Sequence, residues 1–168
     1  MSISMYQASA PVFDRSLGNL AAILAKAAAW AEARKIDQSV LLSARLAPDM
    51  FSLTRQIQIA CDFAKSTCAR LAGIDPPKYE DNETSFADFQ ARIAKTRQFV
   101  ATLTAAQIDG SESRQITFKA GARENSFKGL AYLTGYALPN FFFHYTTAYA
   151  ILRHNGLELA KMDFIGTV

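Results

Sequence analysis

From Gly129 to Leu152 the chain carries no Asp, Glu, Lys or Arg, yet the same stretch holds His144, Asn140, several threonines and four tyrosines. A helix this apolar belongs inside a protein, because no face of it is polar enough to meet water. A histidine in its middle must then be satisfied by something packed against it. The stretch is long enough to span a bilayer, but Gly129, Gly135, Pro139, Asn140 and His144 make a poor membrane span. The expectation is a buried helix and no membrane partner.

The rest of the sequence is consistent with that setting. At 168 residues, with half of them hydrophobic and a fifth charged, the chain fits one domain spanning residues 1–168. The formal charge of +3 is spread along the chain, with no Lys/Arg cluster to follow a phosphate backbone, so nucleic acid is not expected as a partner. Cys61 and Cys68 fall seven residues apart in one helix, about 10 Å between Cα atoms and beyond disulfide reach. They read as small buried hydrophobes of a reducing compartment. Asp14 and Arg15 interrupt the only early apolar run, which is unlike a secretory signal. A cytoplasmic protein is expected.

Periodicity divides the chain into four long helices. The first runs from Ala10 to Lys35, with Pro11 in its first turn and Leu17, Leu20, Leu24, Ala27 and Ala31 as its stripe. A brief turn follows at Ser39–Leu42. The second starts at Pro48, with Asp49 at its positive end, and stops at Gly73. The two prolines of IDPPKYEDNE make a loop. The third opens on the pair Ser85 and Asp88 and ends near Leu103. QITFK and FKGLAYLTG, joined by the polar GARENS, read as a β-hairpin. The fourth helix runs from Pro139 to Asn155–Gly156. The tail to Val168 packs through Leu159, Met162, Phe164 and Ile165. The fold class expected is all-α: an antiparallel four-helix bundle with a small β-hairpin between its third and fourth helices.

Several residues are able to carry chemistry in such a bundle. Asn140, His144, Thr147 and Ile151 recur at steps of four, three and four, so they share one face. His144 is either a neutral core histidine with a hydrogen-bond partner or a metal ligand or acid–base group in a bundle-core pocket. Gln58, Asp62 and Ser66 lie at four-residue steps on the second helix, where Asp62 faces either a pocket or solvent. Tyr132, Tyr136, Tyr145 and Tyr149 either rim a pocket or fill the core with a polar handle, and Trp30 reads the same way. His154, in the last turn, suits a capping role. Arg45 and Asp49 orient the entry to the second helix. Cys61 on an apolar stripe reads as inert rather than as a nucleophile paired with His144. There is no Gly-rich phosphate loop, GxSxG, CxxC or HExxH.

RLAPDM, the DNET turn, LPNFFFHYTTAYAILRHNG and the closing DFIG together resemble a bacterial domain-of-unknown-function family of the DinB/YfiT-like four-helix-bundle superfamily. The resemblance spans nearly the whole chain and implies an antiparallel bundle that forms a homodimer. Metal-binding members of the superfamily present a histidine from the second helix and an HxxxH pair from the fourth. Aligned on Leu152–Arg153, His144 matches the second histidine of that pair and Asn140 stands at the first. The second helix has no histidine, and Asp62 is the nearest candidate. A carboxylate, an amide oxygen and one imidazole form a weak donor set, so the expectation is no tightly bound metal, with His144 and Asp62 as the weak candidates for zinc or nickel.

The function expected on these grounds is a small-molecule-binding or dimeric bundle that lacks the full three-histidine site. Its candidate pocket comprises His144, Asn140, Asp62, Gln58, Thr147 and Tyr145. Two alternatives stand beside it. One is an enzyme like the superfamily's metal-dependent thiol transferases, isomerases or hydrolases. The other is a structural or interaction protein in which His144 only completes a buried network.

Overall fold

The computed structural model describes residues 2–167. It is mostly helical, with one two-stranded antiparallel hairpin. Helix α1 (Ala10–Ala33) carries Pro11 in its first turn and buries Phe13, Leu17, Leu20, Leu24, Ala27 and Ala31. It ends two residues before the expected Lys35, which takes a left-handed φ of 55°. The short α2 (Gln38–Ser43) is capped by Asp37, whose side chain accepts from the Ser39 amide at 2.8 Å.

Helix α3 (Leu53–Ala72) does not begin at Pro48. Pro48 occupies the second position of a turn closed by the Met50 amide on the Ala47 carbonyl at 3.0 Å. Its fixed φ suits that position as well as it suits a helix start. Arg45 spans the turn by donating to the Met50 carbonyl at 3.3 Å, so its partner is backbone rather than Asp49. The helix ends where expected, on Gly73 with φ 75°, and its core stripe of Ile57, Cys61, Ala64, Cys68 and Leu71 is buried.

Helix α4 (Phe86–Ala101) opens on the expected capping box. Ser85 Oγ accepts from the Asp88 amide at 3.1 Å, and the Asp88 carboxylate accepts from the Ser85 amide at 2.9 Å. A single turn, α5 (Ala105–Ile108), precedes the hairpin of β1 (Gln115–Ala120) and β2 (Arg123–Lys128), in which Ile116 faces Phe127. Gly121, with φ 60°, supplies the tight two-residue connection.

The second strand is therefore RENSFK, and the expected extended run through GLAYLTG is helical. Gly129 is the reason the chain turns there. A Cβ on Gly129 would lie 2.0 Å from the Ser111 carbonyl oxygen, and its amide donates to the Arg114 carbonyl at 2.9 Å. From that point α6 (Gly129–Tyr132), a π-helical turn (Leu133–Ala137) and α7 (Leu138–His154) follow without a break. Pro139 has no N–H and crowds the carbonyl four residues back, so the wider turn just before it lets the helix continue through the proline.

Among the described residues the long helices α1, α3, α4 and α7 all contribute side chains to one apolar core. Helix α3 packs against both α4 and α7, and α1 packs against α4, α7 and α3. Phe13 of α1 meets Phe141 of α7 edge-to-face at 4.9 Å. The tail folds back as α8 (Lys161–Ile165) onto α1. Leu159 is buried and Phe164 packs on the core, whereas Met162 and Ile165 are exposed, contrary to expectation. No helix among the described residues is long and apolar enough to cross a membrane.

Candidate functional site

His144 sits on the face of α7 turned toward α3 and is 9% exposed. Its Nδ1 lies 2.7 Å from Oε1 of Gln56. The amide group of Gln56 donates through Nε2 to the Phe51 carbonyl at 3.2 Å. A carbonyl can only accept, so that bond orients the Gln56 amide and leaves its oxygen toward the imidazole. Nδ1 must then carry the proton, and Nε2 keeps its lone pair. Nε2 has no hydrogen-bond partner among the described residues. It is also absent from the sealed, unpartnered polar atoms, which are Trp30 Nε1, Arg92 Nε and Ser111 Oγ, so solvent reaches it.

Burial, and secondarily the nearby Arg55 guanidinium, lowers the His144 pKa from 6.5 to about 4. The ring is therefore neutral at neutral pH and presents one acceptor outward. Phe63 of α3 stacks on it with centroids 6.1 Å apart and planes 19° apart, and Phe143 meets its edge at 5.2 Å. Phe63 in turn packs on Tyr136 at 5.8 Å.

The other candidate residues are held elsewhere. Asp62 pairs at 2.9 Å with both Lys65 and Arg92. Arg92 is nearly sealed and also binds Glu83 at 2.7 Å and Asp81 at 3.0 Å. A buried guanidinium needs such a set, since removing it from water costs several kcal/mol unless carboxylates surround it. Gln58 joins the same network through Glu83 at 2.9 Å. Lys65, Arg92 and Lys95 all lie within 6 Å of the Tyr79 ring centroid, at 4.7, 5.5 and 4.3 Å. Gln58 directly, and Asp62 through Lys65 and Arg92, thus hold the loop at 74–84 against α3 and α4.

Asn140 donates to the Tyr136 carbonyl at 2.7 Å, and Thr147 to the Phe143 carbonyl at 2.7 Å, both within their own helix. Tyr145 stacks on Phe164 at 4.1 Å and donates to its carbonyl at 2.7 Å, and burial pushes its phenol up from its ordinary value. Its task is to hold the tail. His154 is exposed in the last turn of α7, where Asn155 donates instead to the Ile151 carbonyl. Burial pushes the thiols of both cysteines up to about 12, and Cys61 adjoins Arg92 and Thr96 on the α4 side.

Among the described residues no three His, Cys, Asp or Glu side chains could hold a metal ion together. The donor chemistry agrees: Asp62 is spent on two cations, the Asn140 side chain is tied to its own helix, and His144 stands alone. Two residues escaped the sequence reading: Gln56, which completes the His144 site, and Arg92, the hub of the neighbouring ion-pair network. Gln56 lies seven residues before Phe63, which places both on the face of α3 that meets His144. Arg92 sits among the apolar positions of α4, and no local pattern marks it as a hub.

The fold is that of a DinB-like helical protein. The chain belongs to the family of the domain of unknown function DUF1993, whose model matches residues 5–165. It is similar to a crystal structure of a DinB family member from Shewanella denitrificans, with 40% identity over 97% of this chain and 92% of that one and a TM-score of 0.88. No functionally curated protein matches it.

Proposed function

We propose that this chain is a small-molecule-binding protein, built as an antiparallel four-helix bundle, that works without a tightly held metal. The observation that carries the reading is His144. Gln56 fixes its tautomer, burial keeps it neutral, and its Nε2 is left as an outward acceptor with no protein partner. Such a nitrogen suits a ligand O–H or N–H. With a pKa near 4 it is a weak base at neutral pH, which favours recognition over proton abstraction.

The test uses His144→Asn, because the Asn amide can replace Nδ1–H toward Gln56 while deleting the Nε2 acceptor. Metabolite-sized compounds are screened for stabilisation of the wild-type protein, and hits are repeated on the variant. The reading expects hits whose effect falls in His144→Asn. A screen with no hit, or with hits indifferent to the substitution, would overturn it in favour of a structural role. Stoichiometric zinc or nickel binding lost in His144→Asn would instead favour the metal-dependent enzyme.

The homodimer implied by the family resemblance is supported by apolar surface beside the site. Phe51 and Phe143 are each 57% exposed at either end of the Phe51–Gln56–His144 chain of contacts. We assign these two rings to contact with a second copy.

A further inference from the structure

On the outer face of α3, Arg55, Ile59, Asp62, Ser66 and Arg70 follow steps of four, three, four and four, so they form one stripe. Every one of them is half-buried. The hairpin and the π-helical turn stand opposite, with Phe118, Lys119 and Tyr136, and enclose about 410 Å³. That volume lies in the range of small-molecule sites. The walls are aromatic: Phe63 of α3 lies 5.8 Å from Tyr136, and Tyr136 lies 5.5 Å from Phe118.

The charges in this groove are unequal in their commitments. Arg55 is paired with Asp81, and Asp62 is neutralised by Lys65 and Arg92. Arg70 and Lys119 have no carboxylate partner among the described residues. Arg70 is nevertheless held in place. One of its N–H groups donates to the Tyr132 hydroxyl at 3.0 Å, and its guanidinium lies 4.1 Å from the Phe118 centroid. A guanidinium has five N–H donors in a fixed plane, so most of its hydrogen-bonding edge is left over. A fixed, half-buried cation without counter-charge, set among aromatic faces, is what recognition of a planar anion requires.

We propose that the groove between α3 and the hairpin binds a small aromatic carboxylate, its carboxylate on Arg70 with Lys119 beside it and its ring against Phe63 and Tyr136. This rests on the small-molecule reading and gives it a ligand class. Phe63 is the side chain shared by the groove and the histidine, packing on Tyr136 with one contact and on His144 with another.

The probe is benzoate, titrated into labelled protein and followed by NMR at Arg70, Phe63, Tyr136 and His144, with benzylamine as the charge-reversed control. Saturable benzoate shifts at Arg70 and the two rings are expected, together with much weaker binding of benzylamine. Arg70→Gln should weaken benzoate by about tenfold or more, the scale of a lost charge-assisted pair. Arg70 also supports Tyr132, so the exposed Lys119→Glu provides a variant that leaves the packing intact, and it should weaken benzoate too. Benzoate that shifts none of these groups, or binds both variants as it binds the wild type, would overturn the proposal. Should screened compounds still depend on His144 in that case, the groove assignment falls alone and the small-molecule reading stands.

Discussion

The unusual property of His144 is that one amide decides its chemistry. Gln56 supplies a neutral oxygen to Nδ1–H, and nothing in the pair rewards a second proton on the ring. A carboxylate at the same place would do so, because an adjacent negative charge favours imidazolium. In Gln56→Glu the NMR titration of His144 should therefore move up from about 4, past the ordinary 6.5. An unmoved midpoint would mean that burial alone sets it. The wild-type protein should show the linked effect in its stability. The folded-state pKa is depressed, so the unfolded chain takes up the proton first as the pH falls. Stability contributed by neutral His144 is complete above 6.5 and is lost on acidification toward 4, below which the loss levels off. Denaturation midpoints across that window should fall for the wild type and flatten in His144→Asn.

At the scale of elements, the connection from the hairpin into α7 is fixed by one close backbone approach. Gly129 cannot gain a Cβ without displacing the Ser111 backbone, and the clash is with a carbonyl rather than with a flexible side chain. Gly129→Ala should cost on the order of 3 kcal/mol in chemical denaturation, the upper range for overpacking. The loop at 74–84 depends on Arg92 in a comparable way. Arg92→Ala strands Asp62, Asp81 and Glu83 with one cation fewer and should cost about 3–5 kcal/mol, with hydrogen exchange rising first in the loop. These two residues mark how far the sequence could be read. Local signals located the stripe of α1 and the caps at Gly73 and Ser85–Asp88. They misjudged Pro48, since turn and helix start ask the same φ of proline. They took GLAYLTG for a strand, since only the approach of Ser111, distant in sequence, makes that segment turn. The placing of His144 on an inward face followed from spacing, whereas Gln56 and Arg92 became visible as its neighbour and as a hub only when helices were packed together.

At the scale of the whole molecule, the exposed phenylalanines bear on assembly. Removing most of the remaining exposed surface of Phe51 or Phe143 would contribute about 2–3 kcal/mol each at roughly 25 cal/mol per Å². A two-fold interface uses the same patch on both copies, so the pair counts twice and supplies about 10 kcal/mol. Association costs roughly 4–15 kcal/mol in lost translational and rotational freedom, so two rings per copy about offset that cost and leave little surplus for a tight dimer. Leu46, 41% exposed and five residues before Phe51, can extend the patch on the same loop. The dimer should accordingly be concentration-dependent, with sedimentation showing dimer at tens of micromolar protein and monomer on dilution. Phe143→Arg should give monomer throughout, because each interface would then contain two buried like charges. A wild-type protein that sediments as monomer at every concentration would remove the assignment. A dimer indifferent to Phe143→Arg would move the contact to another face, leaving the two rings free to form the mouth of the His144 site.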